Sequence, residues 1–145
     1  MAQSGIVKTD QWLEPYQQKI VSRHQQYLDK LTWITDQFGS LMDFASGHQF
    51  YGLHKTSDGW VFRENAPNAT AVYLIGDFTD WKKSEDYRLQ SIGFNNWEIV
   101  RPASALKHGD QYKLWVEWDG GAGERLPAYV DYVVQDETTK IFAAQ

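Results

Sequence analysis

The sequence predicts a mainly β protein, an immunoglobulin-like β-sandwich preceded by an N-terminal amphipathic helical segment. Three observations carry that prediction. Apolar residues recur at steps of three and four between Trp12 and Phe38. Beyond Phe50 the pattern changes to short runs of Val, Ile, Tyr, Phe and Trp broken by turn residues. No helical pattern stands between those runs to serve as the crossover that a parallel sheet needs.

The helical stretch carries Trp12, Leu13, Tyr16, Ile20, Tyr27, Leu31, Ile34 and Phe38 on one stripe, broken where His24 stands in. Asp10 is the expected N-cap. Pro15 is tolerable only within about the first turn, so the main helix is expected to begin near Glu14 and to stop at Gly39. A single apolar stripe belongs against a neighbour, either the chain's own sandwich, a further domain or a separate partner. The stretch from Ser40 to Gln49, with Gly47 and several small polar residues, reads as a connector, which puts the division at 1–48 and 49–145.

Strands are predicted near 50–54, 60–65, 71–76, 97–101, 111–118 and 132–135. Turn signals separate them at Asp58-Gly59, Pro67-Asn68, Phe94-Asn95-Asn96, His108-Gly109-Asp110 and Gly120-Gly121. In Gln111 to Trp118 the alternation puts Tyr112, Leu114, Val116 and Trp118 on one face, which reads as core. Lys113, Trp115 and Glu117 fall on the other, a wet face that carries a platform, unless Trp115 packs under a loop or the helix. Trp60, Trp97 and Trp118 share faces with apolar residues and read as core, Trp97 with Ile99. Gly120-Gly121-Ala122-Gly123 is followed by Glu124-Arg125-Leu126-Pro127 rather than by Lys-Ser/Thr and a helix, so it reads as a flexible hairpin tip and not a phosphate loop.

Composition narrows the partners. A net charge of -5 lacks the phosphate attraction behind non-specific nucleic-acid binding and would be repelled by an anionic membrane, so neither partner is expected. A neutral partner fits better. Without cysteine there is neither a disulfide framework nor a thiol nucleophile, and four scattered histidines make no metal-ligand spacing. No metal or cofactor is expected. No apolar signal or spanning run is evident, and a cytoplasmic protein of 145 residues is the expectation, with Asn68-Ala69-Thr70 a plain turn. Aromatic residues make up 15% of the chain, more than one core of this size requires, so some should mark a contact surface.

The run Tyr73-Leu74-Ile75-Gly76-Asp77-Phe78-Thr79-Asp80-Trp81 is an apolar strand that ends at a glycine and opens into a polar loop with two aromatics. A ring presented there suits a sugar, because the C–H face of a pyranose packs on an aromatic face while neighbouring polar groups bond its hydroxyls. The other reading is that Trp81 folds back over the sandwich edge beside Phe78. Asp77, Asp80, Glu85 and Asp86 lie near the same loop, but a glycosidase pair needs a cleft that raises one carboxyl's pKa, and an open loop has none. No catalytic residue is assigned.

This YLIGDFTDW run resembles the GDFN-x-W signature of the family 48 carbohydrate-binding modules, found ahead of the barrel in branching enzymes and isoamylases and in a glycogen-sensing kinase subunit. The words YGLHKTSDGWVFRENAPNA, HGDQYKLWVEW, GERLPAY and VVQDETTKIFAAQ, with the Trp12-Leu13-Glu14-Pro15-Tyr16 lead-in, are similar to bacterial branching enzymes over nearly the whole chain. The resemblance implies a non-catalytic N-terminal domain of a 1,4-α-glucan branching enzyme of glycogen biosynthesis. Such a domain contacts α-1,4-glucan and orients a catalytic barrel that would follow IFAAQ. A barrel needs about 250 residues, so none is expected here. A free-standing glucan-binding or protein-interaction module is the alternative.

The same resemblance implies the site residues. Trp81 matches the tryptophan that stacks on glucan in kinase-type modules, and Lys113 matches the lysine that bonds sugar hydroxyls beside it. A groove in eukaryotic branching enzymes corresponds to Asn65-Ala66-Pro67 and Phe94-Asn95-Asn96-Trp97, which brings in Asn65, Pro67, Phe94, Asn95 and Asn96; Trp115, read from the alternation and not from the resemblance, is the remaining platform. Most relatives have tryptophan where this chain has Asn65, whose amide offers no stacking face, and Tyr129 also replaces a frequent tryptophan. The expectation therefore favours Trp81 with Lys113.

Overall fold

The computed structural model describes residues 5–145, and the chain divides into two compact units, Met1–Ser46 and Gly47–Gln145. In the first unit, helix α1 (Gly5–Thr9) is followed by Asp10, whose extended backbone and carboxylate cap a 3-10 turn, Gln11–Tyr16, by accepting the Trp12 amide at 3.0 Å. That tight turn absorbs Pro15. The long helix α2 therefore runs Gln17–Phe38 and starts three residues later than the Glu14 expected from spacing alone. It ends at Gly39, whose φ of 85° no β-carbon would favour and whose amide bonds the Thr35 carbonyl at 2.8 Å.

The stretch 40–49 is not an open connector. Ser40 accepts the Asp43 amide and so caps helix α3 (Leu41–Phe44), and a further turn, α4 (Gly47–Phe50), leads into the second unit. Ser40, one of the small polar residues that read as loop, is a helix cap.

The second unit is two antiparallel sheets. One has the order β1 (Gly52–Lys55), β2 (Trp60–Asn65), β5 (Asn96–Arg101), β4 (Gln90–Gly93). The other runs β3 (Ala69–Gly76), β6 (Tyr112–Trp118), β9 (Phe142–Ala144), β8 (Val133–Gln135), and β7 (Gly121–Arg125) also pairs with β6. The β-sandwich read from the sequence is the fold. Strands β4, β7 and β9 were not expected. The first is exposed along its length, the second is masked by its glycines, and the third is a three-residue pairing with no alternation to see. Gly120-Gly121-Ala122-Gly123 is accordingly a turn at Asp119-Gly120 followed by a strand, with Trp118 opposite Gly121.

The core lies between the sheets and is built from Phe62, Val72, Leu74, Leu89, Ile99, Tyr112, Leu114 and Ala144. Val72 and Leu74 face Val116 and Leu114 across the β3–β6 ladder, so the inner parity of β6 is the one the alternation predicts. Trp97 packs against this core, as expected. Trp60 and Trp118 do not belong to it. Both have inner-face parity but sit at the ends of their strands, half-buried, where Trp60 donates to the Ala103 carbonyl at 3.3 Å and Arg125 lies over Trp118. A same-face pattern gives parity but not depth.

One buried carboxylate ties a loop to this frame. Glu64 accepts the amides of Asn65 at 3.1 Å and Ala128 at 2.9 Å, and burial pushes its pKa up against the pull of those bonds.

The turn at Gly59 sets the β1–β2 hairpin. A β-carbon there would stand 2.2 Å from the Arg101 carbonyl oxygen, on a backbone at φ 147°. Gly59→Ala should cost at least about 2 kcal/mol in urea denaturation. Gly93→Ala, at φ 91° but in open space, should cost about 1 kcal/mol. Equal midpoints for the two variants would contradict this packing.

Candidate functional site

The outer face of the β3–β6–β7 sheet is assembled by the loop that leaves β3. Gly76 is required where that loop begins, since a β-carbon would lie 2.3 Å from the Gln111 carbonyl oxygen. Asp77 then joins the loop to β6. Its amide bonds the Gln111 carbonyl at 3.0 Å and its Oδ2 accepts the Gln111 amide at 2.8 Å. The Thr79 hydroxyl caps the turn by accepting the Gly76 amide at 3.0 Å, and Phe78 turns inward onto the core against Tyr87, with ring centroids 4.9 Å apart.

Asp80 and Trp81 are both left-handed, at φ 49° and 58°. Such residues cost roughly 1–2 kcal/mol each outside glycine, so the surrounding bonds must overdetermine them. They do. The Trp81 amide bonds the Gly76 carbonyl at 2.9 Å, and its indole Nε1–H donates to Asp77 Oδ1 at 3.0 Å. Trp81 is thus held by its indole edge with 38% of its surface open, and it is not among the side chains packed on the core.

Lys113 reaches the same ring. Its Nζ stands 5.8 Å from the Trp81 centroid and 2.8 Å from Glu124 Oε2 on β7. The sequence places Lys113 on a wet face, yet it is 8% exposed, with its ammonium beside both the Trp81 ring and the Glu124 carboxylate. An ammonium has three donors, and only one is engaged among the described residues. Glu124 was not anticipated. Its place on β7 could be found only by recognising the glycine-rich segment as a strand.

Trp115 shares this face, cross-strand to Tyr73, half-buried and donating to Glu117 Oε1 at 3.3 Å. Glu117 also takes Lys83 at 2.7 Å, while the Tyr73 hydroxyl donates to Glu85 at 3.1 Å. Two of the four loop carboxylates have structural partners: Asp77 holds an indole and an amide, and Glu85 holds a phenol. Hydrogen bonding to Lys83 lowers the Glu117 pKa, and bonding to Glu117 raises that of Lys83.

The second set of expected residues gathers on the other sheet. Asn65 and Asn96 are the terminal pair of the β2–β5 ladder, and Phe94 and Asn95 form a two-residue hairpin turn with φ of 51° and 64°. Asn65 Nδ2 donates to Asn96 Oδ1 at 2.8 Å and to the Phe94 carbonyl at 3.3 Å, so its amide donors brace the turn. Phe94 is 95% exposed. Pro67 lies with Val116 and Trp118 in a shallow depression at that end of the sandwich. The structure thus brings Trp81, Lys113 and Trp115 to one sheet, and Asn65, Phe94, Asn95 and Asn96 to the other.

A two-sheet antiparallel sandwich with an aromatic and a lysine fixed side by side on its outer face defines a β-sandwich module. The chain belongs to the carbohydrate-binding module 48 (isoamylase N-terminal domain) family, whose model matches residues 50–130. It is 32% identical to a 1,4-alpha-glucan-branching enzyme of Dictyostelium discoideum over 94% of this chain and 21% of that protein. It is also 33% identical to the enzyme of that name from Rhizophagus irregularis, over 91% of this chain and 20% of that one. The chain spans about a fifth of the length of these relatives. Among solved structures, the maltotriose complex of PulA from Klebsiella pneumoniae shares the fold, with a TM-score of 0.51 and 21% identity over 74% of this chain and 12% of that chain.

The Lys83–Glu117 pair predicts a pH profile. A lowered carboxyl pKa contributes stability above its ordinary value of 4.5 that is lost as pH falls through the folded value. A raised lysine pKa contributes below 10.5 and is lost as pH rises through the folded value. The pair is at full strength between those limits. In Lys83→Met, the Glu117 carboxyl should titrate closer to 4.5 by NMR, and an unchanged titration would remove the pair from the account.

Proposed function

We propose that this chain is the non-catalytic N-terminal part of a 1,4-α-glucan branching enzyme, contacting an α-1,4-glucan through the Trp81–Lys113 face and orienting a catalytic barrel supplied by the rest of that enzyme. The observation that carries the proposal is the fixed ring. Trp81 is held edge-on by Asp77 in a strained backbone, with a buried ammonium 5.8 Å from its centroid. Strain of that kind is kept where a side chain must be presented in one orientation.

The arrangement suits a neutral sugar. The exposed part of the ring takes the C–H face of a glucose unit, and the free donors of Lys113 meet its hydroxyls, with Glu124 holding the ammonium in place. The family and the branching-enzyme names of relatives matching over nine-tenths of this chain support the same reading. Phe94, Asn95 and Asn96, with Asn65 as a brace and Pro67 beside them, supply a second contact with one exposed ring. No pair of carboxylates is assigned to chemistry, so bond cleavage and transfer belong to the proposed barrel.

Calorimetric titration with maltoheptaose tests the site. Trp81→Ala should weaken binding by about tenfold or more, the range of a lost stacking partner. Trp97→Ala should instead destabilise the chain by about 3 kcal/mol, since its ring packs on the core. If Trp97→Ala abolished binding in a folded chain while Trp81→Ala left it intact, the site would be wrongly placed.

A further inference from the structure

Strand β1 is the edge of its sheet, and beside it, walled also by the start of β6 and the loops 106–110 and 129–132, lies a cleft of about 410 Å³ that neither Trp81 nor Lys113 lines. We propose that this cleft is a second carbohydrate site, taking the terminal one or two pyranose rings of an α-glucan, separate from the Trp81–Lys113 face; the proposal rests on the glucan-binding reading above.

Its wall is aromatic. Tyr51 and Tyr129 are stacked, with centroids 5.3 Å apart and planes at 20°. The backbone has been shaped to keep them there: Gly52 is at φ 91°, and a β-carbon on it would stand 2.8 Å from the Tyr129 carbonyl oxygen. At Gly47 a β-carbon would stand 2.7 Å from the Tyr129 hydroxyl. Two glycines thus yield space to one residue, Gly52 to its backbone and Gly47 to its ring.

The polar groups are those a polyol uses. Of four histidines in the chain, three line this cleft: His48, His54 and His108. An imidazole offers a donor and an acceptor, which matches a hydroxyl. The ring of His54 is fixed by Nε2 against the Tyr51 carbonyl at 2.8 Å. Tyr112 also lines the cleft. It is 4% exposed, and its hydroxyl, at the cleft, makes no hydrogen bond to another described residue and so is open to a ligand hydroxyl. Burial pushes the pKa of that phenol up to about 12, so it remains a donor across the neutral range.

Charge argues against an anionic ligand. Lys107 is offset by Asp110 and Asp131 on the same walls, leaving no excess for an anion. A volume near 400 Å³ lies in the range of small-ligand sites, which is roughly 300–1,000 Å³. The cleft is also linked to the other sheet's candidate residues, because the Tyr51 hydroxyl donates to Asn96 Oδ1 at 2.9 Å, the same oxygen that accepts from Asn65.

The test is amide-shift mapping with maltotriose on the 145-residue chain carrying Trp81→Ala, which silences the other face. Saturable shifts should persist in the segments 52–54, 107–112 and 129–132. Adding Tyr112→Phe, which keeps the ring, should weaken that binding by about tenfold, and adding Tyr132→Ala, at the exposed rim, should weaken it several-fold. Shifts around Trp81 in the unsubstituted chain, with none in the cleft of either chain, would overturn this proposal and leave the glucan-binding reading standing. No shift anywhere in the unsubstituted chain would overturn both.

Discussion

The close approach of β3 to the start of β6 governs the rest of the structure. At Gly76 the two strands come so near that a β-carbon would stand 2.3 Å from the Gln111 carbonyl oxygen and 3.0 Å from the Tyr112 α-carbon. On the inner side this contact seats Tyr112 and Leu114 against Val72 and Leu74. On the outer side it lets Asp77 bond the backbone of Gln111, and from there fix the indole of Trp81. Core and site are therefore two faces of one ladder. A residue that reads as a simple strand terminator is the point where core packing and the placing of the Trp81 ring are coupled.

Much of this was legible in the sequence. The Gly-Asp-Phe-Thr-Asp-Trp word announced a strand ending in a presented ring, and the alternation of Tyr112 to Trp118 assigned the faces of β6 correctly. Depth was not legible. Trp60 and Trp118 have core parity but lie at strand ends, and Lys113 has surface parity but is buried beside Trp81 and Glu124. Whether a side chain is buried depends on what crosses it from elsewhere, and period-two patterning carries no record of that. The exposed β4 and glycine-rich β7 escaped notice for a related reason, as pairing partners rather than composition made them strands. Asp77 looked like one carboxylate among four, although its spacing of four residues from Trp81 was available as a sign that it holds the ring.

The proposed function divides labour among three surfaces. The Trp81–Lys113 face presents a flat ring with charge at its edge. The Asn65–Asn96 end presents Phe94 on a turn braced by amides. The cleft encloses polar groups behind a stacked tyrosine pair. A branched polymer with many chain ends suits several weak contacts better than one strong one, because linked contacts raise effective concentration without new binding energy at any single site.

The measurement that bears most directly on the coupling of core to site is the affinity of Gly76→Ala for maltoheptaose. The added β-carbon has no space beside Gln111, so β3 must shift, Asp77 must lose its hold on the indole, and binding should fall at least as far as in a chain lacking the Trp81 ring. A folded Gly76→Ala chain that binds maltoheptaose with undiminished affinity would contradict the account.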